Sequence, residues 1–426
     1  MPSQTLTVAP VQQQSIKRSL VIIGLLFSVF GFVTWLSSVL IPYLKLACEL
    51  NNAQAYLVAF ALYISYFVMA LPGAWILKKT GFKKGISLGL IIMAVGSLIF
   101  VPAAMSRTYS VFLTGLFVQG AGLSILQTAS NPYVTILGPR KTAAKRISIM
   151  GICNGVAGII APIILGSVIL NDTDAISENI AQLDAVTKLA ELNALAHRVI
   201  LPYIIMAVVL LILALLVHYS GLPEVEEEQE EADTTAAANN KKSIFQFPHL
   251  LIGAFTLFLY VGVEVISGNT IIDYGSYQGI PMVTAKFFTS MTLTAMLIGY
   301  LIGIISMPKY LSQEKALQYS ALAGIVFLLC ALFTTGYLSV LFIALLGLAN
   351  ALMWPAIWPL AISNLGRFTK IGSSLLIMSI CGGALLPLVY GHFADISNPQ
   401  KAYWVVAPCY LMILYYSLRG YKIRTQ

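Results

Sequence analysis

The sequence predicts an all-α polytopic membrane protein, with twelve transmembrane helices arranged as two six-helix pseudo-repeats. Three observations carry that reading. Of 426 residues, 58% are hydrophobic and only 10% charged, with a mean hydropathy of +0.84, whereas a soluble domain is about a quarter charged. Apolar windows of the roughly 20 residues that a bilayer crossing requires recur from residue 19 almost to the end of the chain. A short motif also recurs at a fixed offset in the two halves.

Taken in order, the first span covers residues 19–44. It follows a polar stretch carrying Lys17 and Arg18 and is long enough to cross, so it reads as a span and not as a cleavable signal peptide. Spans 2 and 3, residues 54–77 and 84–104, are separated by the basic turn "KKTGFKKG". Spans 4, 5 and 6 follow at 109–137, 146–170 and 199–219. The polar stretch 171–198 between spans 5 and 6 is helix-prone and is expected outside. Residues 220–247, with "EVEEEQEEADTTAAANNKK", are too charged to pack in a bundle and read as a cytoplasmic linker halfway along the chain. Spans 7 to 12 are expected at 248–275, 283–307, 316–335, 337–363, 371–394 and 400–418.

Crossing parity and charge set the orientation. With a cytoplasmic N-terminus, only Lys45, Arg107, Lys188, Arg198, Lys286 and Lys401 of the 25 Lys and Arg fall outside. Both termini are therefore expected inside. That bias also accounts for the net charge of +8 without a nucleic-acid partner. The five cysteines are scattered, four of them within spans, so no disulfide framework is expected.

The repeat joins "IMGICNG" at 149–155 to "IMSICGG" at 377–383, an offset of 228 that also carries Leu137-Gly138 onto Leu365-Gly366. Span 5 thus answers to span 11 and span 4 to span 10. The domains are a bundle at 1–219, the linker at 220–247 and a second bundle at 248–426. Parallel six-helix repeats are a transporter architecture in which substrate sits near the midplane between halves.

Polar residues at mid-membrane depth mark the candidate site. Gln127 and Asn131 share a face of span 4, Asn154 lies mid-way along span 5, and Asn350, Trp354 and Trp358 follow at i, i+4 spacing on span 10 beside Pro355 and Pro359. Amides exchange hydrogen bonds with hydroxyls, and an indole face covers the C–H side of a pyranose. The same amides also serve as glue between helices. Glu264 in span 7 is the sharper signal, because an acid is costly there and no Lys or Arg lies in the central third of any span to pair with it. Asp273, nearer the outer end of span 7, and His392, placed near the cytoplasmic end of span 11, read as interfacial. Anionic cargo would ordinarily be matched by buried cations, so a neutral, hydroxyl-rich substrate fits better. An intramembrane enzyme would need clustered catalytic groups, and none of the four histidines sits mid-span. Lipid or drug transport stays open at this stage.

"LQTASNPYVTILGP", "NALMWPAIWPLAISNLGRFTKIGSSLLIMSICGGALLPLVYGHFAD" and "FGFVTWLSSVLIPYLK", together with the turn after span 2, resemble the fucose permease and glucose/galactose transporter branch of the major facilitator superfamily. The resemblance covers nearly the whole chain. It implies the major facilitator fold, alternating access and cation-coupled sugar uptake across a bacterial inner membrane. It also exposes departures. The fucose permease pattern has Asn-Asp where this chain has Ser37-Ser38, and Glu where it has Gln127, so that branch's proton relay is not intact. Asn154 matches a sugar contact of the pattern, Gly151 replaces a glutamine, and Glu264 stands where the pattern has Gln. An amide cannot cycle a proton, yet its oxygen suits a hard cation. Gln127, Ser130, Asn131 and the Ser37-Ser38 pair are therefore the expected oxygens for coupling Na⁺, with Na⁺ placed at Gln127 and Asn131. Proton coupling through Glu264 ranks second and uncoupled facilitation third. The expectation is a monomeric Na⁺-coupled importer of a glucose- or galactose-like hexose without an organic cofactor.

Overall fold

The computed structural model describes residues 10–136, 143–170, 176, 183–220, 243–307 and 310–425, and the regular structure among those residues is helical, without strands. The acidic centre of the expected linker lies outside them. The first half comprises α1 (Pro10–Ala47), α2 (Asn52–Ala55), α3 (Leu57–Ser106), α4 (Tyr109–Ile136), α5 (Ala143–Ile169), α6 (Ala185–His197) and α7 (Ile200–Tyr219). The second comprises α8 (Pro248–Asn269), α9 (Ile271–Tyr277), α10 (Met282–Ala285), α11 (Phe288–Ser306), α12 (Gln313–Phe333), α13 (Gly336–Asn350), α14 (Met353–Ile362), α15 (Thr369–Met378), α16 (Gly382–Ile396), α17 (Pro399–Ala402) and α18 (Val406–Leu418).

Ten stretches among the described residues are long and apolar enough to cross a bilayer. One of them, Asn52–Ser106, holds 55 residues, about twice what a crossing needs. It breaks at Gly81, whose φ of 75° and ψ of 171° are open only to glycine, and so supplies spans 2 and 3. The twelfth crossing is assembled from short pieces, α17, a 3₁₀ turn at Tyr403–Val405 and α18. The count of twelve therefore holds, although hydropathy by length alone finds ten. Span 10 is interrupted between α13 and α14 because Pro355 has no N–H for the carbonyl of Ala351. The helical part of the expected outer loop is α6, started by Asp184, whose carboxylate accepts from the N–H groups of Val186 and Thr187 at 3.2 and 3.4 Å.

Equivalent helices make the same intimate contact in each half. A Cβ on Gly31 of α1 would fall 1.9 Å from the carbonyl oxygen of Asn154 on α5. A Cβ on Gly382 would fall 1.8 Å from the carbonyl oxygen of Phe258 on α8. Residues 154 and 382 are one repeat offset apart, and the glycine has moved to the other member of the pair. Backbone touches backbone in both places, as small residues allow in membrane bundles.

The two halves are joined toward the end of the bundle opposite the N-terminus, called here the distal end. Asn269 Nδ2 donates to Ser37 Oγ at 3.1 Å, Ser290 Oγ donates to the carbonyl of Ile159 at 2.8 Å, and Lys45 lies 3.9 Å from Asp273. Between these polar contacts sits a small apolar cluster drawn from both halves, in which Trp35 and Ile159 pack with Leu293, Met296, Tyr300 and Ala351. Trp35 lies against Gly268, where a Cβ would come within 2.2 Å of its ring. His392 is three residues before Asp395, which bonds to α2 at the distal end. Its placement at the cytoplasmic end of span 11 is corrected accordingly, since odd-numbered spans run away from the N-terminus.

Candidate functional site

Glu264 lies four residues before Gly268 on α8, one turn deeper than the Trp35 contact, and is half-buried. The helical repeat brings Tyr260 onto the same face, and its hydroxyl donates to Glu264 Oε1 at 2.9 Å. Among the described residues no ion pair reaches this carboxylate. Tyr63, from the other half, reaches the same stretch of α8, since a Cβ on Gly383 would lie 2.9 Å from both its ring and the side chain of Val265, the residue after Glu264.

From Glu264 aromatic and amide groups extend both ways. On one side Tyr260 meets Trp354 at 6.5 Å between ring centroids, and Trp354 stacks on Trp358 at 5.3 Å and 24°. On the other, Tyr63 lies over Tyr66 at 6.3 Å and 28°, and Tyr66 Oη accepts from Gln127 Nε2 at 3.0 Å. The belt thus crosses the seam between halves, with Gln127, Tyr66 and Tyr63 from one and Glu264, Tyr260, Trp354 and Trp358 from the other. Gln127, Glu264, Trp354 and Trp358 remain partly open, as does Asn154 on α5. Such a surface offers one acid, amide hydrogen bonds and flat apolar faces, the combination that a small polyhydroxylated molecule with one apolar side fills.

Other expected residues stand elsewhere. Asn350 is fully buried, its Oδ1 accepting from Tyr410 at 2.9 Å and its Nδ2 donating to Ser267 at 3.4 Å. Its amide is committed to bracing α8 from behind. Ser38 is fully buried and donates to the carbonyl of Trp35 at 2.7 Å, while Ser37 donates to that of Thr34 at 2.7 Å and accepts from Asn269 across the seam. Ser130 is fully buried, with its hydroxyl unpartnered. Asn131 lies on α4, and its side chain falls outside the described residues.

These placements bear on the expected oxygen cage. A hard cation takes oxygens at about 2.3–2.6 Å, so its donors must turn toward one point. Ser37 and Ser38 are instead turned to the carbonyls of Thr34 and Trp35 and to Asn269 across the seam, whereas Gln127 is bonded to Tyr66.

Sequence reasoning missed the tyrosines. Tyr260 carries a readable signal, an aromatic hydroxyl one turn before an intramembrane acid. Tyr63 and Tyr66 carry only their spacing of three on a half-buried helix, and nothing local says that they face the other half.

A family model described as Major Facilitator Superfamily matches residues 23–387. The chain is 35% identical over 413 residues to a glucose/galactose transporter of Brucella abortus, covering 96% of each protein. It is 30% identical over 401 residues to the L-fucose-proton symporter of Escherichia coli, covering 92% of this chain and 90% of that one. Among solved structures it is similar to a Major Facilitator Superfamily transporter, FucP, crystallised in the outward conformation, with a TM-score of 0.73 and 28% identity over 97% of this chain and 100% of the other.

Proposed function

Because this chain belongs to the Major Facilitator Superfamily, we propose that it carries a neutral hexose of the glucose or galactose type across a bacterial inner membrane by alternating access, coupled to protons through Glu264. The observation that carries the reading is the belt from Gln127 to Trp358, because it combines sugar-binding chemistry with a single unpaired acid and spans the two halves that must move. The sugars named for its relatives, glucose, galactose and fucose, are all neutral.

The indoles of Trp354 and Trp358 form one face of the site and cover the apolar side of the ring. The amides of Gln127 and Asn154 address its hydroxyls. Tyr260 holds one oxygen of Glu264, leaving the other for sugar or proton. Carrying a bare charge through a low-dielectric setting is costly, so binding a proton prepares Glu264 for movement between the two states. Proton coupling takes precedence here over the Na⁺ cage because Ser37 and Ser38 are engaged in helix and seam contacts, and because the relative whose name states a coupling ion is a proton symporter. The positive-inside bias puts the distal end outside, so this state is closed to the exterior, whereas the similar FucP structure is in the outward conformation. Those two arrangements are the pair that alternating access requires.

Trp354→Ala tests the belt. Losing roughly 80 Å² of apolar cover at about 25 cal/mol per Å² costs about 2 kcal/mol, or about 30-fold in affinity. Equilibrium binding of labelled galactose to the purified protein is expected to weaken by that order, with Trp354→Phe recovering most of it. Unchanged affinity in Trp354→Ala would remove the indole from the sugar site.

A further inference from the structure

We propose that Asp395 is the latch of the outer gate: its carboxylate caps a short helix of the opposite half, and the exterior opens when that cap is released. Asp395 lies in the last turn of α16, in the second half. Its Oδ1 accepts from the backbone N–H of Asn52 at 3.1 Å and from Asn52 Nδ2 at 2.7 Å, and its Oδ2 accepts from the N–H of Ala53 at 2.9 Å.

Asn52 and Ala53 are the first two residues of α2, whose N–H groups have no carbonyl within their own helix. The next residue is served locally, since Asn51 and Gln54 form a capping box. The two remaining amides are satisfied from across the seam. A carboxylate suits them because charge-assisted bonds to helix-start amides are short and strong.

The cap is the outermost part of a wider clasp. Lys45 Nζ donates to Asn52 Oδ1 at 2.6 Å and lies 3.9 Å from Asp273 Oδ1 on α9, and the Tyr56 hydroxyl lies 3.5 Å from Asp273 Oδ2. Asn52 thereby links to two acids of the second half, Asp395 directly and Asp273 through Lys45. Shape supports the contact. One turn before Asp395, a Cβ on Gly391 would come within 2.5 Å of the Tyr56 ring and 3.1 Å of Ala53 Cα, so α2 lies directly on α16. The rings of Tyr56 and Tyr390 meet edge-on at 5.6 Å.

Each of these bonds between halves exists only while the distal end is closed. When the halves part, water replaces Asp395 at α2, and local structure is retained by the capping box. The latch therefore acts on the balance between closed and open states and leaves the hexose site untouched. The inference rests on the alternating-access reading, but its test does not depend on transport.

Hydrogen–deuterium exchange on the purified full chain, wild type against Asp395→Asn, decides it. The substituted amide would present an N–H₂ to one of two backbone donors and lose the charge. Exchange is expected to quicken about tenfold in the peptide covering residues 48–57 and, together with it, in the peptide covering 266–277 on the opposite face of the seam. Asp395→Glu is expected to stay within about threefold of wild type, because the charge is kept. Faster exchange confined to residues 48–57 would overturn the proposal, since Asp395 would then be a local cap with no influence on the gate. Unchanged exchange in both peptides would overturn it as well. A wild-type protein that moves no hexose would instead count against the transport reading and leave the exchange result to be judged separately.

Discussion

Replacing Glu264 with glutamine is expected to abolish concentrative hexose uptake while sparing exchange of hexose across the membrane. The substituted amide keeps the shape and still accepts a hydrogen bond from Tyr260, which meets Glu264 at 2.9 Å in the wild type. It cannot take up or release a proton. One imposed pH unit stores about 1.4 kcal/mol per proton, enough for about tenfold accumulation at one proton per sugar. In Glu264→Gln the accumulation ratio is expected to fall to about one, whereas counterflow of labelled against unlabelled galactose stays within about threefold of wild type. Accumulation that survives in this variant would move the coupling group elsewhere. Loss of counterflow as well would make Glu264 a sugar ligand first and a coupling group second.

The second large effect is expected from adding one methyl group. In Gly268→Ala the new Cβ would lie 2.2 Å from one Trp35 ring carbon and 2.9 Å from another, so the indole must move. Trp35 is also confined by α5, where a Cβ on Gly158 would come within 2.5 Å of the same ring, and by Leu293 and Met296 in the cluster across the seam. Overpacking of this kind costs about 1–3 kcal/mol, and here it penalises the distally closed state alone. A cost of about 2 kcal/mol shifts the two-state balance about 30-fold toward the open form. Uptake is expected to fall by that order, while hexose binding from the exterior is retained. Trp35→Phe shortens the ring facing residue 268, so the double variant is expected to recover much of the lost uptake. That non-additivity is the signature of direct contact. Additive losses would mean that Gly268 acts through its own helix.

Hydropathy and charge made the crossings legible because a bilayer imposes a length on each of them. The repeat at 149–155 and 377–383 was visible because five of its seven positions are identical in the two halves. Periodicity was enough to put Glu264, Trp354 and Trp358 at mid-depth. It says which residues share a face of one helix, but not which helix that face meets. Asn350 therefore looked like a ligand, although Tyr410 and Ser267, distant in sequence, take both ends of its amide. Ser37 and Ser38 looked like cation oxygens, although one faces Asn269 across the seam and the other turns back on its own helix. The distal clasp was hidden for the same reason, since Asn52 and Asp395 are 343 residues apart.

Uptake of labelled galactose into proteoliposomes under an imposed inward proton gradient, with a matched Na⁺ gradient in parallel, tests the central claim most directly. Accumulation above equilibrium with the proton gradient, unaffected by Na⁺, is the expected result. Accumulation driven by Na⁺ alone, or mere equilibration under both gradients, would contradict proton coupling through Glu264.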